Sequence, residues 1–155
     1  MPPVKILLIA LASIVVLSGC ADHREFRERE QVTDANLNGA WLVKKAELGG
    51  KDFAMPATFE LQITDNKYRA GSFASSATPS DRGKLILFGD ELAGQAARID
   101  VVGENGPNKG KRYPAIYRFN GRDLEVCYDL SEKDRPSEFV SREGTMLLRV
   151  TYSKK

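Results

Sequence analysis

AIYRFNGRDLEVCY, residues 115–128, decides the fold of this chain. Two runs of alternating residues flank Asn120-Gly121, and both of these residue types accept the positive φ of a tight turn. The pattern predicts an antiparallel hairpin whose loop is either Asn120-Gly121 alone or the four residues 120–123. Ile116 and Cys127 share one face in both registers. The opposite face is apolar in both registers and consists of Ala115, Tyr117, Phe119, Leu124, Val126 and Tyr128.

Short strands of the same kind recur from residue 37 onward, separated by turn residues such as Gly49-Gly50, Asp65-Asn66 and the polar loop 75–83. About eight short strands in one small domain predict an all-β, antiparallel barrel, because closure removes exposed strand edges. A β-sandwich is the alternative that the same spacing permits. Besides the hairpin, the predicted strands span residues 39–48, 59–64, 67–74, 84–88, 97–102 and 145–152.

Gly39-Ala40-Trp41 in the first strand matches the Gly-x-Trp signature of lipocalins and related barrels. In those barrels the tryptophan plugs the closed end and an arginine from a late strand lies across it. Arg149 is the expected counterpart here, through a cation–π contact. The alternative interpretation of Trp41 is an ordinary core tryptophan.

The N-terminus reads as a bacterial lipoprotein signal peptide, residues 1–19. An apolar run at 6–17 follows a basic start and is too short to span a bilayer, which needs ~20 residues. The lipobox Leu17-Ser18-Gly19-Cys20 then predicts lipidation of Cys20. The alternative is an ordinary secretory signal in which Cys20 is incidental.

The segment 20–36 is charged and predicts a solvated tether from the lipidated Cys20 to a lipocalin-like barrel domain at 37–155. Ala21 stands where an aspartate would favour inner-membrane retention. We therefore expect a lipid-anchored protein of the cell envelope, at the outer membrane facing the periplasm rather than at the inner membrane.

Composition argues against several functions. The formal net charge of +2 gives no electrostatic footprint for nucleic acid. His23 is the only histidine, so no Ser-His-Asp or Cys-His catalytic set and no His-based zinc site can form. Cys127 has no partner once Cys20 is lipidated and is expected to be a buried small hydrophobe. The sequence therefore predicts a protein without enzymatic activity, cofactor or metal.

Two loops have a functional and a structural interpretation. Residues 104–112 (ENGPNKGKR) are rich in glycine and end in basic residues, but they lack the P-loop pattern and are better explained as an inter-strand loop than as an anion nest. In the segment 135–139, Arg135 either binds an anion at a barrel mouth or pairs with Glu138 across a turn while Phe139 enters the core.

An ordered set of motifs spans the domain, and through it the chain resembles an uncharacterised family of small domains abundant in planctomycete bacteria. The resemblance implies a lipocalin-like barrel, often exported or lipid-anchored, with no established activity. The chain departs from that family at Ala96-Ala97-Arg98, which lacks the usual proline, and in a longer stretch at 77–95. The shared motifs are Leu37-x-Gly39-x-Trp41, Gly71-x-Phe73, Ile99-Asp100 with Gly106-Pro107-x-Lys109-Gly110, Ala115-Ile116-Tyr117, Leu124-x-Val126-Cys127-Tyr128 and Arg135-Pro136-x-Glu138-Phe139.

The function expected from these observations is a membrane-tethered binding module for a small apolar or amphipathic ligand. Its ligand-binding residues are predicted to be Tyr117, Phe119, Tyr128 and Arg135. The alternative is a protein-interaction or inhibitor module that uses the loops 104–112 and 129–142 at the barrel ends.

Overall fold

The computed structural model describes residues 32–73, 80–89 and 96–155. The predicted signal peptide, Cys20, His23 and most of the tether lie outside the described residues, as do parts of the loop 75–83 and of the stretch 77–95. No helix in these ranges is long and apolar enough to cross a membrane. The elements are a 3₁₀ helix at Ala35–Leu37 and nine strands: β1 (Gly39–Leu48), β2 (Lys51–Asp52), β3 (Phe59–Thr64), β4 (Lys67–Ser72), β5 (Asp81–Leu87), β6 (Ala97–Asn105), β7 (Arg112–Asn120), β8 (Asp123–Asp129) and β9 (Leu147–Lys154).

Eight of the strands form a closed antiparallel barrel. Each pairs with its neighbour in the order β1, β3, β4, β5, β6, β7, β8, β9, and β9 pairs back with β1 from Leu148 to Lys154. The two-residue β2 only extends the end of β1. The predicted barrel is confirmed, and closure excludes the sandwich.

The hairpin of β7 and β8 has the register predicted for the loop 120–123, but Asn120 and Asp123 also pair, so only Gly121 and Arg122 lie between the strands. Phe119 lies opposite Leu124 and Ile116 lies opposite Cys127, while Gly121 takes the positive φ of 62° that the turn requires. Asp65 and Asn66 also have positive φ, in the tight turn between β3 and β4. Strand alternation therefore places the predicted apolar face inside the barrel.

The strand predicted at 84–88 begins earlier, at Asp81. Gly83, which the sequence predicts in the preceding loop, lies inside β5 at a register shift between Arg82 and Gly83. A Cβ at Gly83 would fall 1.9 Å from the carbonyl oxygen of Val102. This glycine permits close approach of two strands rather than a turn.

The 3₁₀ helix closes one end of the barrel. Leu37 and Trp41 are fully buried there, and Trp41 Nε1 donates to the Leu37 carbonyl at 2.8 Å. Asp34 caps the helix by accepting from the Asn36 amide at 3.0 Å. The carbonyl of Val32 accepts from Asn66 Nδ2 at 2.6 Å. The last residues of the predicted tether thus pack against the barrel.

The cation over Trp41 is Lys154, and Arg149 lies elsewhere. Lys154 Nζ is 5.1 Å from the Trp41 ring centre and lies opposite it in the β1–β9 ladder. Arg149 faces outward, because Val150 and its alternate neighbours face the core, and it forms ion pairs with Glu47 and Glu125. The expected Arg149–Trp41 contact is therefore wrong.

The segment 130–146, here named the outer strap, crosses the outside of the barrel. It covers Cys127, whose thiol is fully buried and lies 3.9 Å from the Val140 carbonyl oxygen. Burial raises the pKa of the Cys127 thiol, which favours its unreactive protonated form. Cys127 is thus the buried small hydrophobe that the sequence predicted.

Candidate ligand-binding site

A cavity of about 150 Å³ lies inside the barrel. Its floor is formed by fully buried apolar side chains beside the closed end, including Leu37, Leu85 and Leu124. Half-buried side chains such as Met55 and Phe59 line it at the opposite end, which we call the mouth. The barrel interior is therefore partly hollow and apolar, with its more accessible side at the mouth.

Tyrosine is the feature that distinguishes this cavity. All five tyrosines of the chain line it, although they come from four different strands: Tyr68, Tyr113, Tyr117, Tyr128 and Tyr152. Each sits at an inward-facing position, so that an apolar ring forms part of the wall and a hydroxyl supplies a polar point. The lining combines aliphatic surface with a small number of hydrogen-bonding groups, as small-molecule sites commonly do.

The polar groups at the mouth form one network around Asp81, the first residue of β5. Its carboxylate accepts from Tyr68 Oη at 2.9 Å, from the Asn108 amide at 3.1 Å and from Asn108 Nδ2 at 2.9 Å. Tyr113 Oη donates to Asn108 Oδ1 at 2.9 Å. The loop between β6 and β7 is thereby fixed to β5 across the mouth.

Two further hydroxyls meet deeper in the barrel. Tyr128 Oη and Tyr152 Oη lie 3.2 Å apart and hydrogen-bond to each other. Burial raises the pKa of Tyr152 to about 12 and raises that of Tyr128 well above its ordinary value. Both side chains therefore keep their hydroxyl hydrogens at neutral pH.

The structure brings two of the four predicted ligand-binding residues to the cavity. Tyr117 and Tyr128 line it, and Tyr117 Oη also donates to Asp34 at 3.0 Å. Phe119 points to the same side of its strand but lies at the end of β7, where it is 36% exposed and its ring centre is 6.2 Å from that of Trp41. It belongs to the closed end and not to the cavity.

Arg135 is a structural residue of the outer strap. Its guanidinium donates to the carbonyl oxygens of Ile99 and Ala115, each at 2.7 Å, and to Asp100 Oδ1 at 2.6 Å. Asp100 faces outward and is buried beneath the strap. All of these partners belong to the barrel wall, so Arg135 clamps the strap to the wall and is not the ligand-binding residue that was predicted.

The predicted pairing of Arg135 with Glu138 is also wrong, and so is the core position of Phe139. Glu138 forms its ion pair with Arg142, four residues further along the sequence. Phe139 is half-buried on the outer surface, where the guanidinium of Arg118 lies 4.2 Å from its ring centre. The strap docks from outside at this point, so Phe139 packs against the outer wall instead of entering the core.

The loop within 104–112 connects β6 and β7, which agrees with the interpretation that the sequence analysis preferred to an anion-binding nest. Its amides are used internally: those of Lys109, Gly110 and Lys111 donate to backbone carbonyls, and that of Asn108 donates to Asp81. An anion would have to compete with these bonds. The loop contributes Asn108 to the mouth network, which sequence reasoning missed.

Sequence reasoning also missed Tyr68, Asp81, Tyr113 and Tyr152. Period-2 alternation was a signal for the tyrosines. Tyr68 and Tyr152 lie at inward positions of predicted strands, and Tyr113 continues the inward alternation of the hairpin by one step. No such signal existed for Asp81, because its partner Asn108 is 27 positions away. In the described ranges, no group of His, Cys, Asp and Glu side chains is arranged to hold a metal ion.

Comparison of the chain with protein-family models, with curated proteins and with solved structures found no match. The interpretation of the cavity therefore rests on its own geometry and chemistry.

Proposed function

We propose that this protein is a lipid-anchored, non-catalytic binding module of the cell envelope, with a small apolar or amphipathic ligand inside the barrel. The proposal rests on one observation, the apolar cavity of about 150 Å³ with tyrosine hydroxyls in its walls. Side chains that fill a barrel interior completely leave no such space.

The volume limits the size of the ligand. An apolar cavity of about 150 Å³ accommodates a molecule of the size of benzene. The ligand portion held in the barrel is accordingly a single ring or a short branched chain. A longer amphiphile fits only if its remainder extends through the mouth, past Met55 and Tyr113.

The polypeptide enters the barrel at the closed end, through Val32 and the 3₁₀ helix. An acyl anchor on Cys20 would therefore connect to the end opposite the mouth. A ligand would then reach the described residues of the mouth from the aqueous side of the membrane.

Native mass spectrometry of the full-length protein, purified from membranes and incubated with a lipid and metabolite extract, tests this function. We expect an added mass on the wild-type protein. The control is Ala70→Leu, which places a larger side chain at a cavity wall position and should abolish the added mass. If the wild-type protein and Ala70→Leu are both recovered without an added mass, the proposal is contradicted.

The anchor is tested separately with Cys20→Ser. We expect the wild-type protein to carry the mass of acyl chains and to sediment with membranes, because each buried methylene contributes about 0.8 kcal/mol to membrane binding. The variant should lack that mass. An unmodified wild-type Cys20 would refute lipidation.

A protein-interaction module is the second candidate, and exposed apolar side chains favour it. Val140 and Met146 are exposed, at 42% and 50%, in the outer strap. A pull-down from envelope extract with Met146→Glu, compared with Lys109→Glu in the other loop, tests this candidate. Equal recovery of partners by both variants and by the wild type would exclude these two positions from a contact surface.

A further inference from the structure

The tyrosine hydroxyls of the cavity do not all have an acceptor for their hydrogen. Tyr68 donates to Asp81, Tyr113 to Asn108 and Tyr117 to Asp34. Tyr128 and Tyr152 are bonded to each other, so the pair holds two hydroxyl hydrogens and uses one of them. Among the described residues, the second hydrogen of this pair has no acceptor.

This unused donor lies in an apolar place. The wall around the pair is formed by aliphatic side chains such as Val126, Leu148 and Val150. A buried hydroxyl that lacks an acceptor is unfavourable, and the deficit is removed when an acceptor arrives. The Tyr128–Tyr152 pair therefore offers a donor that a ligand oxygen can satisfy.

The charge of the lining restricts the ligand further. Among the residues that line the cavity, Asp81 is the one with an acidic side chain, and no lysine or arginine is present. A ligand carboxylate or phosphate inside the barrel would meet low polarity and the Asp81 carboxylate, with no cation to offset either. An uncharged molecule avoids this cost.

We infer that the ligand is an uncharged molecule with a hydrogen-bond-accepting oxygen, which takes the unused hydroxyl hydrogen of the Tyr128–Tyr152 pair. Ketones, esters and ethers with a compact apolar body have this chemistry. The inference rests on the proposed function, because it concerns the same cavity.

Three probes with equal numbers of non-hydrogen atoms separate these features: cumene has no polar atom, acetophenone has a carbonyl acceptor, and benzoate is an anion. Each is titrated into the full-length protein in lipid nanodiscs. Binding is followed by the ¹³C-methyl NMR signals of the leucine and valine residues that line the cavity, and affinities are referred to the free aqueous concentration. We expect acetophenone and cumene to bind, and benzoate to bind at least tenfold more weakly than acetophenone.

Variants of the pair give a distinctive pattern. In Tyr128→Phe or Tyr152→Phe the remaining tyrosine still has its own hydrogen, so the ratio of acetophenone to cumene affinity should stay near the wild-type value. The double variant has no hydroxyl at this place, and the ratio should fall about fivefold, the typical net effect of one hydrogen bond. Thr151→Val is the matched control, because it removes a hydroxyl from the outer face of β9 beside Tyr152, outside the cavity, and the ratio should not change.

A second measurement needs no variant. The infrared carbonyl band of ¹³C-labelled acetophenone bound to the wild-type protein should lie at lower wavenumber than in an alkane, because a hydroxyl donates to it. A band at the alkane position overturns the inference, as does an unchanged ratio in the double variant or benzoate binding as strong as that of acetophenone. If neither acetophenone nor cumene binds, the proposed function itself is wrong.

Discussion

Replacement of Arg135 by alanine should destabilise the barrel rather than weaken ligand binding. The guanidinium makes three hydrogen bonds of 2.6 to 2.7 Å, and the Asp100 side chain that it contacts is only 4% exposed. Removing one partner of a buried ion pair costs about 3–5 kcal/mol. Asp100 retains Arg112, whose Nε donates to it at 2.7 Å, so we expect the lower value, about 3 kcal/mol.

For a domain of this size, such a loss lowers Tm by about 12 °C. Urea denaturation followed by the fluorescence of Trp41, the only tryptophan, gives the free energy of unfolding. Arg135→Lys is the matched control: it keeps the charge but not the planar fork that reaches three acceptors, and it should lose most of the same stability.

A double-mutant cycle with Asp100→Asn isolates the pair. We expect a coupling free energy of about 1–3 kcal/mol between the two positions. An Arg135→Ala protein within about 1 kcal/mol of the wild type, or a coupling near zero, would refute the structural role. A loss of ligand binding at unchanged stability would instead restore Arg135 as a binding residue.

Three further predictions concern the first residue of β1 and two sets of titratable groups. Gly39→Ala should lower the free energy of unfolding by about 2 kcal/mol, because φ at Gly39 is +135° and the new Cβ would lie 3.0 Å from Lys154 Cε. An unchanged midpoint in urea denaturation would contradict this prediction. Burial alone would raise the pKa of Asp129, but the hydrogen bonds that it accepts from Ser131 and backbone amides lower it. Its stabilising effect is therefore present at neutral pH and lost as pH falls below about 4, so an acid titration of stability should flatten in Asp129→Asn but not in the exposed-site control Asp52→Asn. The pKa values of Tyr128 and Tyr152 are raised, so the folded state holds their protons more tightly than the unfolded chain does. The free energy of unfolding should therefore decline as pH rises from about 10 to 12. Spectrophotometric titration should show these two tyrosines ionising only with unfolding, and normal ionisation of all five tyrosines would contradict the prediction.

Local alternation was sufficient to predict much of the barrel. The bounds of β3 and the apolar face of the hairpin follow from period-2 patterning, because side chains of a strand alternate between the core and the solvent. The face does not report how far along the barrel axis a side chain lies. Phe119 therefore lies on the predicted side of its strand, but it packs beside Trp41 at the closed end instead of lining the cavity.

Contacts between distant residues account for the errors. The predicted contact of Arg149 with Trp41 does not form, because Arg149 lies on the outward face of β9 opposite Glu47, while Lys154 lies opposite Trp41. Arg135 meets Ile99, 36 positions earlier, because the outer strap folds back over the wall. Neither strand register nor the path of a long connection is readable from local spacing.

The Tyr128–Tyr152 pair allows stability and function to be separated. Two phenylalanines would fill nearly the same volume without leaving a buried hydroxyl hydrogen without an acceptor, and replacing both partners of a buried hydrogen bond by apolar groups is often neutral or stabilising. We therefore expect the Tyr128→Phe, Tyr152→Phe double variant, without ligand, to be at least as stable as the wild type in urea denaturation. If the tyrosine pair contributes nothing to stability, ligand binding by its hydroxyls explains its presence, since residues that serve binding are commonly suboptimal for folding. Destabilisation of the double variant by more than about 1 kcal/mol, the net value of one hydrogen bond, would show instead that the pair is a structural element of the core.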